Sequence, residues 1–214
     1  MYTGSTEKGK LVAQAASKNL VPCILELGSK SPLIVDKSAD IAYTALKVAF
    51  GSFLNYGQTC IRPDYCLVEY TVVVKFVEEL DKQLRDLYNG GKNKDLLGHS
   101  INSFHYDRVC ALLADHKGTV VAGNPNAHID KKLEPTIVLN PSPNSPLMKE
   151  EIFGPIVPIL TYKTIDEAIK IVKGQEKPLV IYFFGKDSND FNSSKMRLMT
   201  GTSSGAFVVN DVGV

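Results

Sequence analysis

Cys60 offers the sharpest chemistry in this 214-residue chain. It closes Asn55-Tyr56-Gly57-Gln58-Thr59-Cys60, after a helical pattern ends and before Pro63, which places it in a loop. Loops held by a rigid scaffold are where nucleophiles are displayed. A free cysteine is also a small hydrophobe that many cores bury, and local context leaves that alternative open. No histidine follows at a spacing that announces a Cys–His pair, although such partners need not be close in sequence. Glu26 is the second anomaly, an ionisable group inside Val21-Pro22-Cys23-Ile24-Leu25-Glu26-Leu27. Burial would raise its pKa towards neutrality and suit it to general base work. The alternative is a strand whose Leu25 and Leu27 point inward while Glu26 faces water. Gly4-Ser5 at a helix start is a weak anion-binding signal, from free N–H groups and the helix dipole. Glu150-Glu151-Ile152-Phe153-Gly154-Pro155 sets two acids and an aromatic at a turn before a strand.

The elements that must position these residues alternate short apolar runs with amphipathic stretches. That is the form of an α/β protein with a mostly parallel sheet flanked by helices. A helix is expected from about Glu7 to Lys18 with Ser5 or Thr6 as its cap, then a strand over Val21 to Leu27. Ile41, Ala45, Leu46, Ala49 and Phe53 share one face of a helix spanning Ala39 to Asn55. Tyr65 to Glu69 reads as a strand, followed by helical spacing from Val73 to Leu87 that Asn89-Gly90-Gly91 stops. Further on, Ile101 to Ala114 reads as a helix, and Gly118 to Gly123 and Thr136 to Leu139 as strands. Asn140 to Pro146 is a loop. Ile156 to Leu160 is a strand, and Thr164 with Glu167 forms a capping box for the next helix. Leu179 to Phe184 is apolar throughout, as a strand covered on both faces requires. A last helix near Phe191 to Met199 leads to a strand over Ala206 to Val209.

Composition excludes several classes. Hydrophobic residues are 44% and charged residues 22%, which rules out a disordered or collagen-like chain. A net charge of +1 leaves no strong electrostatic footprint for nucleic acid or acidic membranes. The longest apolar run, Pro178 to Gly185, is strand-sized, so no membrane span is expected. Residues 1–20 lack the apolar core of a secretory signal. Cys23, Cys60, Cys66 and Cys110 are spaced by 37, 6 and 44, which fits neither a disulfide framework nor a metal site. Free thiols point to a reducing compartment, the cytoplasm. The chain opens straight into a strand-turn-helix and stops soon after a strand, so it reads as a piece of a longer protein.

Four motifs resemble the aldehyde dehydrogenase superfamily in order and spacing. They are Tyr2-Thr3-Gly4-Ser5, Leu25-Glu26-Leu27-Gly28-Ser29-Lys30, Gly57-Gln58-Thr59-Cys60 and Glu150 to Pro155. The resemblance runs from Tyr2 to Val214. Pro63-Asp64-Tyr65, Glu176-Lys177-Pro178-Leu179 and Thr202-Ser203-Ser204-Gly205 are similar to the class 3 branch, which handles aromatic and medium or long-chain aliphatic aldehydes. The resemblance implies the catalytic domain of an enzyme oxidising an aldehyde to a carboxylate with NAD or NADP, a homodimer when full length. Cys60 would be the nucleophile, its own N–H helping to hold the oxyanion, and Glu26 the base for thioester hydrolysis. Gly4 and Ser5 would meet the cofactor pyrophosphate, Glu151 the nicotinamide ribose, and Phe153 the nicotinamide ring. Residues 1–30 would be the end of the cofactor-binding domain, 31–205 the catalytic domain, and 206–214 a strand leading out towards a missing C-terminal region.

Three departures from the family pattern carry expectations of their own. Ser29 stands where the pattern has a second glycine, and would be strained if that position needs φ > 0. Arg62 stands where a small residue is usual, so its charge could lower the thiol pKa or crowd the aldehyde's approach. The Rossmann half, with the adenosine site and a second oxyanion donor, has no counterpart. Two other readings remain: a non-catalytic binding or assembly module, favoured by Ser29 and Arg62, and a cysteine hydrolase of esters needing no cofactor.

Overall fold

Seven short apolar runs form one sheet in the computed structural model, which describes residues 1–88, 98–124, 128–129 and 132–213. The chain begins with a smaller unit: β1 (Tyr2–Gly4), α1 (Thr6–Ser17) and β2 (Leu25–Leu27). β1 and β2 pair in parallel, Tyr2 opposite Leu25 and Gly4 opposite Leu27, as a two-stranded sheet of their own. Ser5 caps α1, its Oγ accepting from the Lys8 N–H at 3.4 Å, a contact type worth about 1 kcal/mol. Gly9 is buried, and a Cβ there would lie 2.5 Å from Leu27 Cδ2, so α1 rests close against β2. The strand expected over Val21 to Leu27 keeps only its last three residues, and Val21 to Ile24 are exposed. Pro22 has no N–H to donate, and β1 is too short to pair further.

The main sheet is built from β3 (Pro32–Val35), β4 (Tyr65–Glu69), β5 (Thr119–Ala122), β8 (Thr136–Leu139), β9 (Ile156–Tyr162), β10 (Val180–Phe184) and β11 (Ala206–Val209). Their order is β11-β10-β3-β4-β9-β8-β5, all neighbours parallel except the edge strand β5, which runs against β8. A small hairpin, β6 (His128–Ile129) with β7 (Lys132–Leu133), stands apart. The mostly parallel α/β architecture is therefore as the sequence led us to expect. The central strand β3 is not: four apolar residues behind a polar run carry too little periodicity to be read, although Pro32 at a strand's first position is a permitted place. Ala206–Val209, set apart in the sequence reading as a strand leading outward, is hydrogen-bonded to β10 and forms the sheet's edge.

Helices cover both faces. On one lie α2 (Ile41–Phe53) and α3 (Val73–Tyr88), burying Ala45, Val48, Phe53, Phe76 and Leu80 against Leu33, Val35, Cys66, Val68 and Tyr182. On the other lie α6 (Ile165–Lys173) and α7 (Asn189–Gly201), with Ala168, Val172, Phe191 and Leu198 against Ile34, Leu67, Ile181 and Phe183. α4 (Ser103–Ala114) and the short α5 (Pro146–Lys149) close a third cluster through Val109, Leu112, Leu113 and Leu147. Every residue of β3, β4 and β10 is buried, each large apolar one contributing about 1.5–3 kcal/mol. Leu46, expected on the inward face of α2, is 44% exposed beside Tyr43 and Phe50, because Val48 and Thr44 take the inward positions. Thr164 and Glu167 cap α6 reciprocally, Thr164 Oγ1 accepting from Glu167 N–H and Glu167 Oε2 from Lys163 N–H. Asn89-Gly90-Gly91 lies outside the described residues. No helix among the described residues is long and apolar enough to cross a membrane.

Candidate active site

β3, β4, β9 and β10 run in one direction, so the segments leading into them gather along one edge of the sheet. These are residues 28–31, 57–64, 150–155 and 176–179. Open parallel sheets usually bind ligands beyond the carboxyl ends of their strands. Here the chemistry-bearing residues collect at the amino ends instead.

The Cys60 loop is rigidly built. α2 is capped by Asp40, which accepts from the Tyr43 N–H at 3.1 Å, and ends at Phe53 rather than running on to Asn55. Asn55 (φ 53°), Tyr56 (φ 61°) and Gly57 (φ 74°) follow in left-handed conformations. The two non-glycine residues cost on the order of 1–3 kcal/mol each and need support. Buried Tyr56 supplies it, its hydroxyl accepting from Leu133 N at 2.5 Å and donating to Leu133 O at 2.9 Å. The Gln58 amide donates to Asn55 O and His99 O and accepts from Ile101 N. A bond from Arg62 N to Thr59 O, 3.2 Å, closes a turn with Cys60 inside it. Cys60 is exposed, and its N–H has no hydrogen-bond partner among the described residues. Behind it the Tyr182 hydroxyl donates to Ile61 O at 2.6 Å. Cys66 is buried and its thiol is pushed up to about 12; Cys110 is partly buried and also raised by desolvation. Cys23 is exposed like Cys60.

The acidic turn is tied to the strand entrances by a buried ion pair. Lys30 Nζ donates to Asp64 Oδ2 (2.7 Å), Leu147 O (2.9 Å) and Glu150 O (2.7 Å). Asp64 Oδ1 accepts from Ile152 N at 3.1 Å. Desolvation outweighs the attraction of Asp64 and lowers the Lys30 pKa. Removing one partner of such a pair is far more damaging than never having built it. Arg108 donates to Glu151 O and Ile152 O from the outer side. Glu151 itself reaches back, Oε1 accepting from Ser29 N at 3.1 Å. A Cβ on Gly28 would stand 2.2 Å from Glu151 Oε2, so that glycine makes the carboxylate's room. Phe153 is half-buried and held at φ 48°, an uncommon conformation for an aromatic.

Burial pushes the Glu151 carboxyl up to about 7, with the Ser29 N–H, Arg62 and Arg108 opposing the shift and Asp64 adding to it. A carboxyl whose folded pKa is raised stabilises the fold when protonated, and that contribution fades as pH rises through the folded value. Glu151→Gln therefore gains stability relative to the parent between about pH 4.5 and 7 and holds the gain above. Thermal unfolding at pH 5 and pH 8 reads it: the difference between variant and parent is more favourable to the variant at pH 8.

Two expectations attached to the unusual residues are corrected. Ser29 is absent from the positive-φ residues and carries no strain. Its hydroxyl instead meets Ser31 Oγ and accepts from Leu179 N at 2.9 Å, joining the segments before β3 and β10. Arg62 neither overhangs nor crowds the thiol's approach: it is 1% exposed and turned inward, its guanidinium on Gly154 O and Ile156 O. Glu26 had two readings, and its position decides between them. It is exposed, opposite Thr3 in the β1–β2 pair, which matches the water-facing alternative and not the buried one.

β1 and β2 place Gly4-Ser5 beside the Glu26 strand. Among the described residues the N–H groups of Thr6 and Glu7 have no partner, a disposition that suits a phosphate at a helix start. With Phe153 displayed at a strained turn and Glu151 at half-burial, the residues present fit the phosphate, ribose and ring of a nicotinamide nucleotide.

The sequence profile described as "Aldehyde dehydrogenase family" matches residues 1–212. The chain belongs to the aldehyde dehydrogenase family. It is similar to the mouse aldehyde dehydrogenase, dimeric NADP-preferring, with 43% identity over 213 residues, 99% of this chain and 46% of that protein. It is 42% identical to the 4,4'-diaponeurosporen-aldehyde dehydrogenase of Staphylococcus aureus over 98% of this chain and 45% of the relative. Mouse aldehyde dehydrogenase family 3 member A2 matches at 39%, which sets the chain in the class 3-like branch. The solved substrate-bound Staphylococcus aureus AldH superposes with a TM-score of 0.88 at 41% identity, over 99% of this chain and 46% of that one. The chain thus spans about half the length of the relatives it matches.

Within this aldehyde dehydrogenase frame, the sequence offers Cys60, Glu26, Glu151, Phe153 and Gly4-Ser5 as candidates but not the contacts that hold the Cys60 loop and the acidic turn. Lys30, Asp64, Gln58 and Tyr182 act at long sequence separations. Only Lys30, a charge two residues before an apolar strand, left a trace that could have been followed.

Proposed function

We propose that this chain is the catalytic portion of an NAD(P)-dependent aldehyde dehydrogenase, oxidising an aldehyde to a carboxylate through a thioester on Cys60. The single observation that supports it most is the joining of the Cys60 loop to the Glu151–Phe153 turn, across about 90 residues of sequence. Ser5 and Gly4 would receive the pyrophosphate at the start of α1, Glu151 the nicotinamide ribose, and Phe153 the ring. NAD or NADP, when bound, supplies the acceptor for hydride. Cys60 adds to the aldehyde carbonyl, and the oxygen that gains negative charge lies within reach of its free N–H. After hydride leaves, the carbon is a thioester on Cys60. Glu26 then takes a proton from water, the resulting hydroxide displaces the thiolate, and the carboxylate leaves. The class 3 likeness favours aromatic and medium or long-chain aliphatic aldehydes. Residues 1–30 belong, in this reading, with a cofactor-binding domain, and 31–205 with the catalytic domain. Homodimerisation of the full-length enzyme and a cytoplasmic location complete it.

The features that favoured a non-catalytic module, Ser29 and Arg62, are structural members that leave the nucleophile loop open. Iodoacetamide at neutral pH tests the thiol assignment. Cys60 is expected to react readily and Cys66 only after unfolding, with Cys60 ahead of Cys23, which is exposed as well. Cys60 reacting no faster than Cys23 removes the argument for an activated thiol.

A further inference from the structure

Arg62 sits two residues after Cys60, and Gly57 three residues before it. Both meet the same atom. Arg62 Nη1 donates to Gly154 O at 2.5 Å, and a Cβ on Gly57 would lie 2.3 Å from that oxygen. Arg62 Nη2 donates to Ile156 O at 2.7 Å, so the guanidinium spans Pro155. On the far side Gly154 is wedged, since a Cβ there would stand 2.7 Å from Val109 Cγ2. The carbonyl beside Phe153 is thus gripped by residues on both sides of the candidate nucleophile. Asp64 Oδ1 stands 3.9 Å from Nη1 and holds Ile152 N, bracing the fork. Among the described residues Arg62 Nε is buried without a partner, so the fork rests on its two carbonyl bonds.

We infer that Arg62 is a positioning residue that couples the Cys60 loop to the Glu151–Pro155 turn, fixing nucleophile and cofactor-facing aromatic relative to one another. The inference rests on the proposed aldehyde oxidation for its purpose, but its test needs neither aldehyde nor cofactor. A planar fork satisfies two carbonyls that flank a proline, and no small side chain could. The segments joined are distant in sequence, and besides the Asp64–Ile152 bond the fork is what ties the Cys60 side of the loop to the turn.

Amide hydrogen exchange on the 214-residue chain reads the coupling. In Arg62→Met the hydrogen-bonded amides of Gln58 and residue 62 on one side and of Ile152 and Ile156 on the other are expected to exchange faster together, by roughly ten- to a hundredfold, the factor that loss of a charged hydrogen bond gives. Amides of β3 and β10 keep their protection. Arg62→Lys, which can reach one carbonyl, restores part of the protection in both segments. Loosening of one segment alone, no loosening, or an equal rise throughout the sheet overturns the inference. Should Arg62→Met fail to fold, Arg62→Lys decides: joint, partial loosening supports coupling, and global unfolding assigns Arg62 a structural role only. Absence of aldehyde oxidation by the complete enzyme, with these exchange results in hand, would count against the proposed function and leave the coupling standing.

Discussion

The 214-residue chain, purified alone, is expected to leave NAD and NADP unreduced in the presence of benzaldehyde or hexanal. It carries the candidate nucleophile and base, and the residues proposed to meet the pyrophosphate and nicotinamide end of a cofactor. It spans 46% of its mouse relative, and nothing among the described residues resembles an adenosine pocket or a Rossmann crevice. Binding energy from that remote end positions the reacting ring, and near-attack positioning can lower a barrier by about 7–11 kcal/mol. The family resemblance places a second oxyanion donor in the part of the relatives that this chain does not span, for a further ~2.7–4 kcal/mol. Losses of that size extinguish a measurable rate. Calorimetric titration should show no binding of either nucleotide tighter than millimolar, and absorbance at the reduced-cofactor band should stay flat. Steady, Cys60-dependent reduction would contradict this.

Glu26→Gln in the complete enzyme should slow steady-state turnover by roughly 10²–10⁴-fold, the range for loss of a general base. Hydride transfer precedes the step that Glu26 serves, so a burst of reduced cofactor equal to the enzyme concentration should survive. In this chain Glu26 is exposed on β2, with no side-chain partner among the described residues. An unpaired carboxylate of this kind is free to bond water. Loss of the burst would move Glu26 to an earlier step, and an unchanged rate would remove it from the mechanism.

The strands and helices with strong periodicity were legible in the sequence, and Tyr65–Glu69, Thr136–Leu139 and Ala206–Val209 coincide with their expected limits. β3 was not, because Pro32-Leu33-Ile34-Val35 is too short for any period, and its strand character comes from partners on both sides. The candidate site's residue types were legible because a loop cysteine and an acid in an apolar run are locally conspicuous. Its architecture was not. Arg62 looked like a threat to the thiol, since proximity in sequence says nothing about the direction of a long side chain. Tertiary contacts drew it inward to Gly154 and Ile156, 92 and 94 residues away. Ser29 looked strained for a similar reason: a glycine in the family pattern suggested a left-handed position, and the backbone there has no need of one.

Acid-quench mass spectrometry of the complete enzyme bearing Glu26→Gln, mixed with hexanal and oxidised cofactor, tests the central assignment most directly. The thioester forms in this variant and is hydrolysed slowly, so the account predicts one hexanoyl group on the peptide containing Cys60, appearing with the burst of reduced cofactor. Reduced cofactor without an acyl group on Cys60, or with the acyl group on another residue, would contradict it.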